Sequence, residues 1–116
     1  MQTEGLLIKV KRDKENHQII AIGDLIITNA QGLQRHIDQA LKEGATNLVL
    51  DFSKIQYIDS FGIGVVVKTK SDIDKKKGRF RVIVNQTLHN LFQKCHLDEY
   101  IDLQIPDEEE DPELDV

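Results

Sequence analysis

At 116 residues, with 40% hydrophobic and 30% charged residues, the chain has the size of one domain with little room for a second. No apolar run approaches the roughly 18–20 residues that a membrane span needs, so membrane insertion is not expected. The formal charge of −5 argues against direct nucleic-acid binding, but it is unevenly placed. Asp107, Glu108, Glu109, Glu110, Asp111, Glu113 and Asp115 crowd the last ten residues without a single base. Removing those seven from the 20 acids leaves 13 against 15 bases, so residues 1–106 sum to +2. Residues 1–106 read as the folded domain and 107–116 as an acidic tail, too poor in apolar residues to pack and expected to be disordered.

The N-terminus lacks a basic flank followed by an apolar signal segment, and Cys95 is alone. Together these point to a cytoplasmic protein without an intrachain disulfide. His17, His36, His89 and His96 are scattered, and neither they nor Cys95 fit a zinc-ligand spacing. The plain reading is surface histidines and a buried thiol.

In chain order, Leu6–Val10 and His17–Ile22 read as two strands joined through a charged loop, an antiparallel hairpin that ends at Gly23-Asp24. Thr28 and Asn29 are good N-caps. Behind them Ala30, Leu33, Ile37, Ala40 and Leu41 share one face of a helix, and Gly44 can take the left-handed turn after it. Leu48–Phe52 is apolar enough for a buried parallel strand. A turn at Ser53-Lys54 and a short apolar segment, Ile55 to Ile58, lead to Asp59-Ser60-Phe61-Gly62. Ile63, Val66, Val67 and Ile73 then recur at helical spacing, with a stop at Gly78. Phe80–Val84 is the next strand. Thr87 can cap a last helix with Leu88, Leu91, Phe92 and Cys95 inward, and a short strand near Tyr100–Leu103 precedes Pro106.

The order β-β-α-β-α-β-α-β predicts an α/β domain with a mixed, mostly parallel sheet of about five strands covered by helices. An exposed first strand leaves room for pairing between copies, so a monomer or weak dimer is expected.

Tyr57 to Gly64 is the sharpest local feature, because it sets a hydroxyl and a carboxylate at a strand-to-helix junction. Two readings stand side by side. Ser60 caps the helix while Gly62 and Gly64 permit close packing. Alternatively Ser60 is an exposed phosphorylation site, whose phosphate gains the free N–H groups of the helix start. A nucleophilic serine is disfavoured, since Ile58 stands where a hydrolase elbow needs glycine. No dinucleotide or phosphate-loop motif is present. Asp24, Asp51 and Asp59 lie near strand ends, where solvated carboxylates are commoner than a cation site. Neither cofactor nor metal is expected. The basic stretch Lys68, Lys70, Lys75, Lys76, Lys77, Arg79 and Arg81 reads as a solvated face that also has the charge to hold the acidic tail.

Leu48-Val49-Leu50-Asp51-Phe52-Ser53 with Tyr57-Ile58-Asp59-Ser60-Phe61-Gly62-Ile63-Gly64-Val65 resembles the signature of the STAS domain, and in particular that of bacterial anti-sigma factor antagonists. Gly23-Asp24-Leu25, Val82–Val84 and Leu88–Leu97 extend the resemblance over residues 6–103. It implies a switch protein and not an enzyme. In that family the unphosphorylated form binds an anti-sigma factor that is itself a serine kinase, and so frees a sigma factor. Phosphorylation ends the binding, and a PP2C-type phosphatase reverses it. Carried over by motif, Ser60 is the phosphoacceptor, and Asp24, Asp59, Phe61 and Gly62 belong to the partner-binding surface. This chain departs from the family pattern at Ile26, where an aspartate is common, and at Phe61, where a small residue is usual. The acidic tail also replaces a final amphipathic helix. A second reading of the same fold is a structural STAS subunit of a larger assembly, such as a lipid-transport ABC system, without a phospho-switch.

Overall fold

The computed structural model describes residues 2–106. The boundary expected at 106 and the disorder expected for 107–116 therefore fall outside the described residues. The elements run β1 (Gln2–Thr3), β2 (Leu6–Asp13), β3 (Asn16–Leu25), α1 (Ala30–Lys42), β4 (Asn47–Ile58), α2 (Ser60–Lys75), β5 (Arg79–Val84), α3 (Gln86–Lys94) and β6 (Asp102–Gln104). The predicted order is present, with the two-residue β1 added at the edge. The strands lie in sequence order in one sheet. β1, β2 and β3 pair antiparallel, whereas β3, β4, β5 and β6 run parallel.

Each parallel step moves the chain one strand in the same direction. Right-handed crossovers then place α1, α2 and α3 on the same face of the sheet. The burial pattern agrees. Ile19 and Ala21 of β3, Leu48, Leu50 and Phe52 of β4, and Phe80, Val82 and Val84 of β5 are buried. Their alternate neighbours Ile20, Val49 and Ile83 are only half-buried. Against that inner face α1 sets Ala30, Leu33, Ile37, Ala40 and Leu41, all buried as their spacing predicts. Gly44 follows with φ +95°.

Several local expectations are revised. The charged hairpin loop is shorter than expected, because β2 continues to Asp13 and the reversal is made at Lys14, φ +57°. Ser53-Lys54 is not a turn. β4 runs unbroken through it, with register shifts against β3 between Ile20 and Ile22 and between Gly23 and Asp24. Asp51 Oδ1 accepts the Ser53 N–H at 3.0 Å and its hydroxyl at 2.7 Å, which shapes the first bulge. α3 is capped by Asn85 and not Thr87: Asn85 Oδ1 accepts the Leu88 N–H at 2.9 Å. Its Nδ2 donates to the Ser53 and Ile55 carbonyls at 3.2 and 2.8 Å. One amide thus starts a helix and satisfies β4 beyond the point where β5 ends.

Cys95 is exposed, at the end of α3, so the inward stripe is carried by Leu88 and Phe92. His17 is buried instead of lying on the surface, with Nε2 3.2 Å from the Lys14 carbonyl. The left-handed residue after α2 is Lys77, φ +57°, and the Gly78 N–H reaches the Ile73 carbonyl at 2.9 Å.

Candidate functional site at the start of α2

β3 and β4 end side by side, with Asp24 paired to Tyr57 and Leu25 to Ile58. At that carboxyl edge of the parallel strands the β3–α1 loop meets the start of α2, the end of an open sheet where ligand and partner sites collect. The edge is built around Asp59. Its Oδ1 accepts the N–H groups of Phe61 at 2.9 Å and Gly62 at 3.2 Å, and its Oδ2 accepts the Ile27 N–H at 2.9 Å. The Asp59 N–H donates to the Leu25 carbonyl at 3.1 Å. Asp59 is therefore the N-cap of α2 and the tie between its first turn and the β3–α1 loop.

Ser60, the alternative cap, is instead the first helical residue. It is exposed, and among the described residues its hydroxyl has no hydrogen-bond partner. The geometry also changes what a phosphate would meet there. The Phe61 and Gly62 N–H groups that such an anion would seek are already held by the Asp59 carboxylate. A phosphate on Ser60 would face a like charge and project outward.

Phe61 and Ile27 are both bound through their backbones to Asp59, and both expose large side chains, at 54% and 58%. Tyr57 on β4 is 59% exposed. Ile27 and Phe61 are thus held by one carboxylate next in sequence to Ser60, and Asp24 and Tyr57 are exposed at the paired ends of β3 and β4. Ile27 and Tyr57 were not anticipated as surface residues. The available signal was Ile26-Ile27, two adjacent aliphatics next to a helix start that cannot both point inward.

Gly62 is buried and is not part of the surface itself. A Cβ there would stand 2.6 Å from Ile58 Cγ1 and 2.8 Å from Leu25 Cγ, so glycine lets α2 sit down on the strand ends. Asn29 is buried and is the N-cap residue of α1, its carbonyl accepting the Leu33 N–H at 3.2 Å, but its side chain serves the loop and makes no capping bond. Its Oδ1 accepts from the Ile26 N–H at 2.9 Å, and its Nδ2 donates to the Asp24 and Glu4 carbonyls at 2.8 and 3.1 Å.

Among the described residues no group of three His, Cys, Asp or Glu side chains is placed to hold a metal ion. Asp51 is turned to Ser53 and Asp59 to backbone N–H groups, so the three aspartates do not converge on one centre. No helix among the described residues is long and apolar enough to cross a membrane.

The family model of the STAS domain matches residues 8–111. No curated protein gives a significant sequence match. Among solved structures, one from Thermotoga maritima, provisionally assigned as an anti-sigma factor antagonist, superposes with TM-score 0.79 at 22% identity, covering 92% of each chain. An anti-sigma factor antagonist from Mycobacterium paratuberculosis gives TM-score 0.79 at 19% identity, covering 90% of this chain and 88% of that one. The Bacillus cell-fate determinant SpoIIAA in its phosphorylated form gives TM-score 0.71 at 21% identity, over 95% and 100%.

Proposed function

The chain belongs to the STAS-domain family, and from that premise we propose that it is an anti-sigma factor antagonist switched by phosphorylation of Ser60. It works by binding, not catalysis, in the cytoplasm. The unphosphorylated form docks on a serine-kinase anti-sigma factor and displaces a sigma factor. The kinase then modifies Ser60, and a PP2C-type phosphatase restores it. The observation that carries this reading is the division of labour between neighbours: Asp59 does the capping, so the Ser60 hydroxyl is exposed and uncommitted.

The physical basis of the switch is local. Ile27 and Phe61 offer apolar anchors beside Ser60, and interface energy concentrates in such anchors once water is excluded around them. A phosphate adds roughly −1.5 to −2 charge. Placed next to Asp59, it would have to be desolvated on docking, with a like charge as its nearest ionic neighbour. Binding is lost while the helix start, held by Asp59, stays intact.

Incubation with serine-kinase anti-sigma factors and ATP, followed by intact mass, tests the proposal. The expected result is a single phosphate on the wild type and none on Ser60→Ala. No phosphate on either protein, or equal labelling of both, would overturn it and favour the unswitched structural subunit.

A further inference from the structure

Two successive peptide units in the β3–α1 loop have all four of their polar groups engaged. In the unit joining Leu25 to Ile26, the carbonyl accepts the Asp59 N–H at 3.1 Å, and the N–H donates to Asn29 Oδ1 at 2.9 Å. In the unit joining Ile26 to Ile27, the carbonyl accepts the N–H groups of Asn29 and Ala30 at 3.0 and 2.8 Å. Its N–H donates to Asp59 Oδ2 at 2.9 Å. These two planes meet at the Ile26 Cα, so holding both fixes the two soft dihedrals of that residue. The outcome is a choice between adjacent isoleucines: Ile26 is half-buried and Ile27 is 58% exposed.

Packing alone does not make that choice. A cavity of about 340 Å³ opens beside Ile26, lined also by Gly5, Gly23, Asp24 and Gln56, so the loop has space in which to turn over. Asp59 grips each plane by one group only, and a plane held at one end can still swing about that bond. Asn29 supplies the second grip. It is fully buried, and its amide also donates to the Asp24 and Glu4 carbonyls at 2.8 and 3.1 Å. Glu4 belongs to the β1–β2 turn, with φ +47° at Glu4 and +84° at Gly5. That turn lies so close to β3 that a Cβ on Gly23 would stand 2.7 Å from the Gly5 oxygen. Asn29 is thereby anchored to two backbone segments while it orients a third.

We propose that Asn29 is a positioning residue for partner docking: it presents Ile27, and not Ile26, to the anti-sigma factor. This rests on the function proposed above, in which Ile27 is an anchor. Being buried, Asn29 acts through Ile27. The matching feature on the partner is an apolar recess that takes a branched aliphatic side chain.

The first test needs no partner. By amide hydrogen exchange, the Ile26 and Ile27 N–H groups of the wild type should be protected, although Ile27 lies on the surface. In the full chain carrying Asn29→Ala, both should lose protection by about tenfold or more. Core amides of α1 and β4 should keep theirs, with circular dichroism confirming the fold. Should Asn29→Ala fail to fold, Asn29→Ser, whose one hydroxyl cannot make all three bonds, takes its place with the same expected outcome. Fast exchange in the wild type, or unchanged protection in the variant, overturns the proposal. The second test measures steady-state phosphorylation of Ser60 by a serine-kinase anti-sigma factor that labels the wild type. Asn29→Ala should raise KM for this protein about fivefold or more, with kcat unchanged. Ile27→Ala should do the same, and the double variant should be no worse than Ile27→Ala alone, because the two residues act as a unit. Additive rises in KM, or a fall in kcat with KM unchanged, overturn the proposal. Where no such kinase labels the wild type, the Ser60 reading fails, and amide exchange alone decides whether Asn29 sets Ile27.

Discussion

Asp59 Oδ2 accepts the backbone N–H of Ile27 at 2.9 Å across 32 residues of chain. The same carboxylate caps α2 through Phe61 and Gly62. One side chain therefore sets the spacing of the two apolar groups that flank Ser60, and several expectations rest on it.

Asp59→Ala should remove the cap and leave the Ile27 N–H without its partner. Loss of an N-cap costs about 0.5–2 kcal/mol, and the orphaned loop amide adds to that. Urea unfolding should show a larger loss for Asp59→Ala than for Ser60→Ala, which should stay within about 0.5 kcal/mol of wild type. Equal losses would assign part of the cap to Ser60.

Ile27→Ala and Phe61→Ala change exposed side chains, so melting temperatures should hold while affinity for the anti-sigma factor of the proposed function falls. Losing an anchor typically costs more than about 1 kcal/mol, or about fivefold or more in Kd. Titration calorimetry on each variant provides the measurement. Ser60→Asp should weaken the same complex with the melting temperature almost unchanged.

At Gly62 two effects oppose each other. Alanine gains about 1 kcal/mol in helix propensity, but its methyl would overlap Ile58 and Leu25. Overpacking costs about 1–3 kcal/mol, so Gly62→Ala should be net destabilising in denaturant melts. Gly64→Ala, with nothing within 4 Å of the added methyl, should be neutral or stabilising.

Asn85→Ala removes three hydrogen bonds at once and strands two β4 carbonyls. Each net bond is worth about 0.5–1.5 kcal/mol. A loss of about 2–3 kcal/mol is expected, against almost none for Thr87→Ala, in parallel equilibrium unfolding.

Glu43 accepts from Gln39 Nε2 at 3.1 Å and Arg12 Nε at 2.7 Å. These two bonds, the Gln39 one first, hold its carboxyl below the ordinary glutamate range. A lowered pKa in the folded state means stabilisation present above the unfolded-state value and lost as pH falls through the folded one. The group is solvent-exposed, so the contribution is small. In NMR titration Glu43 should titrate below an unstructured glutamate, and Gln39→Ala or Arg12→Ala should each move its midpoint upward.

Periodicity carried most of the fold. The spacing of Leu33, Ile37, Ala40 and Leu41 defined α1, and the apolar run Leu48–Phe52 identified a parallel central strand. Ser53-Lys54 reads as a turn between that run and the short apolar segment Ile55–Ile58. It is strand, because the Asp51 side chain shapes a bulge at Ser53 and the distant Asn85 amide satisfies the carbonyls beyond it. Cys95 fits the helical period, but it falls where α3 ends, so its side chain faces outward.

By itself the sequence determined the order of elements, the place of Ser60 at a strand-to-helix junction, and the separation of charge between a +2 body and a strongly acidic segment. These are properties of near neighbours and of composition. Only the tertiary structure decided that Asp59 caps and Ser60 does not, that Gly62 lies beneath the surface, and that Ile27 and Phe61 are held by the same carboxylate. It also decided that the basic stretch is split between α2 and the outer face of β5. Each of those outcomes depends on which distant backbone groups or strands arrive at the same place. Such meetings are fixed by sheet register and crossover handedness, which no local pattern encodes.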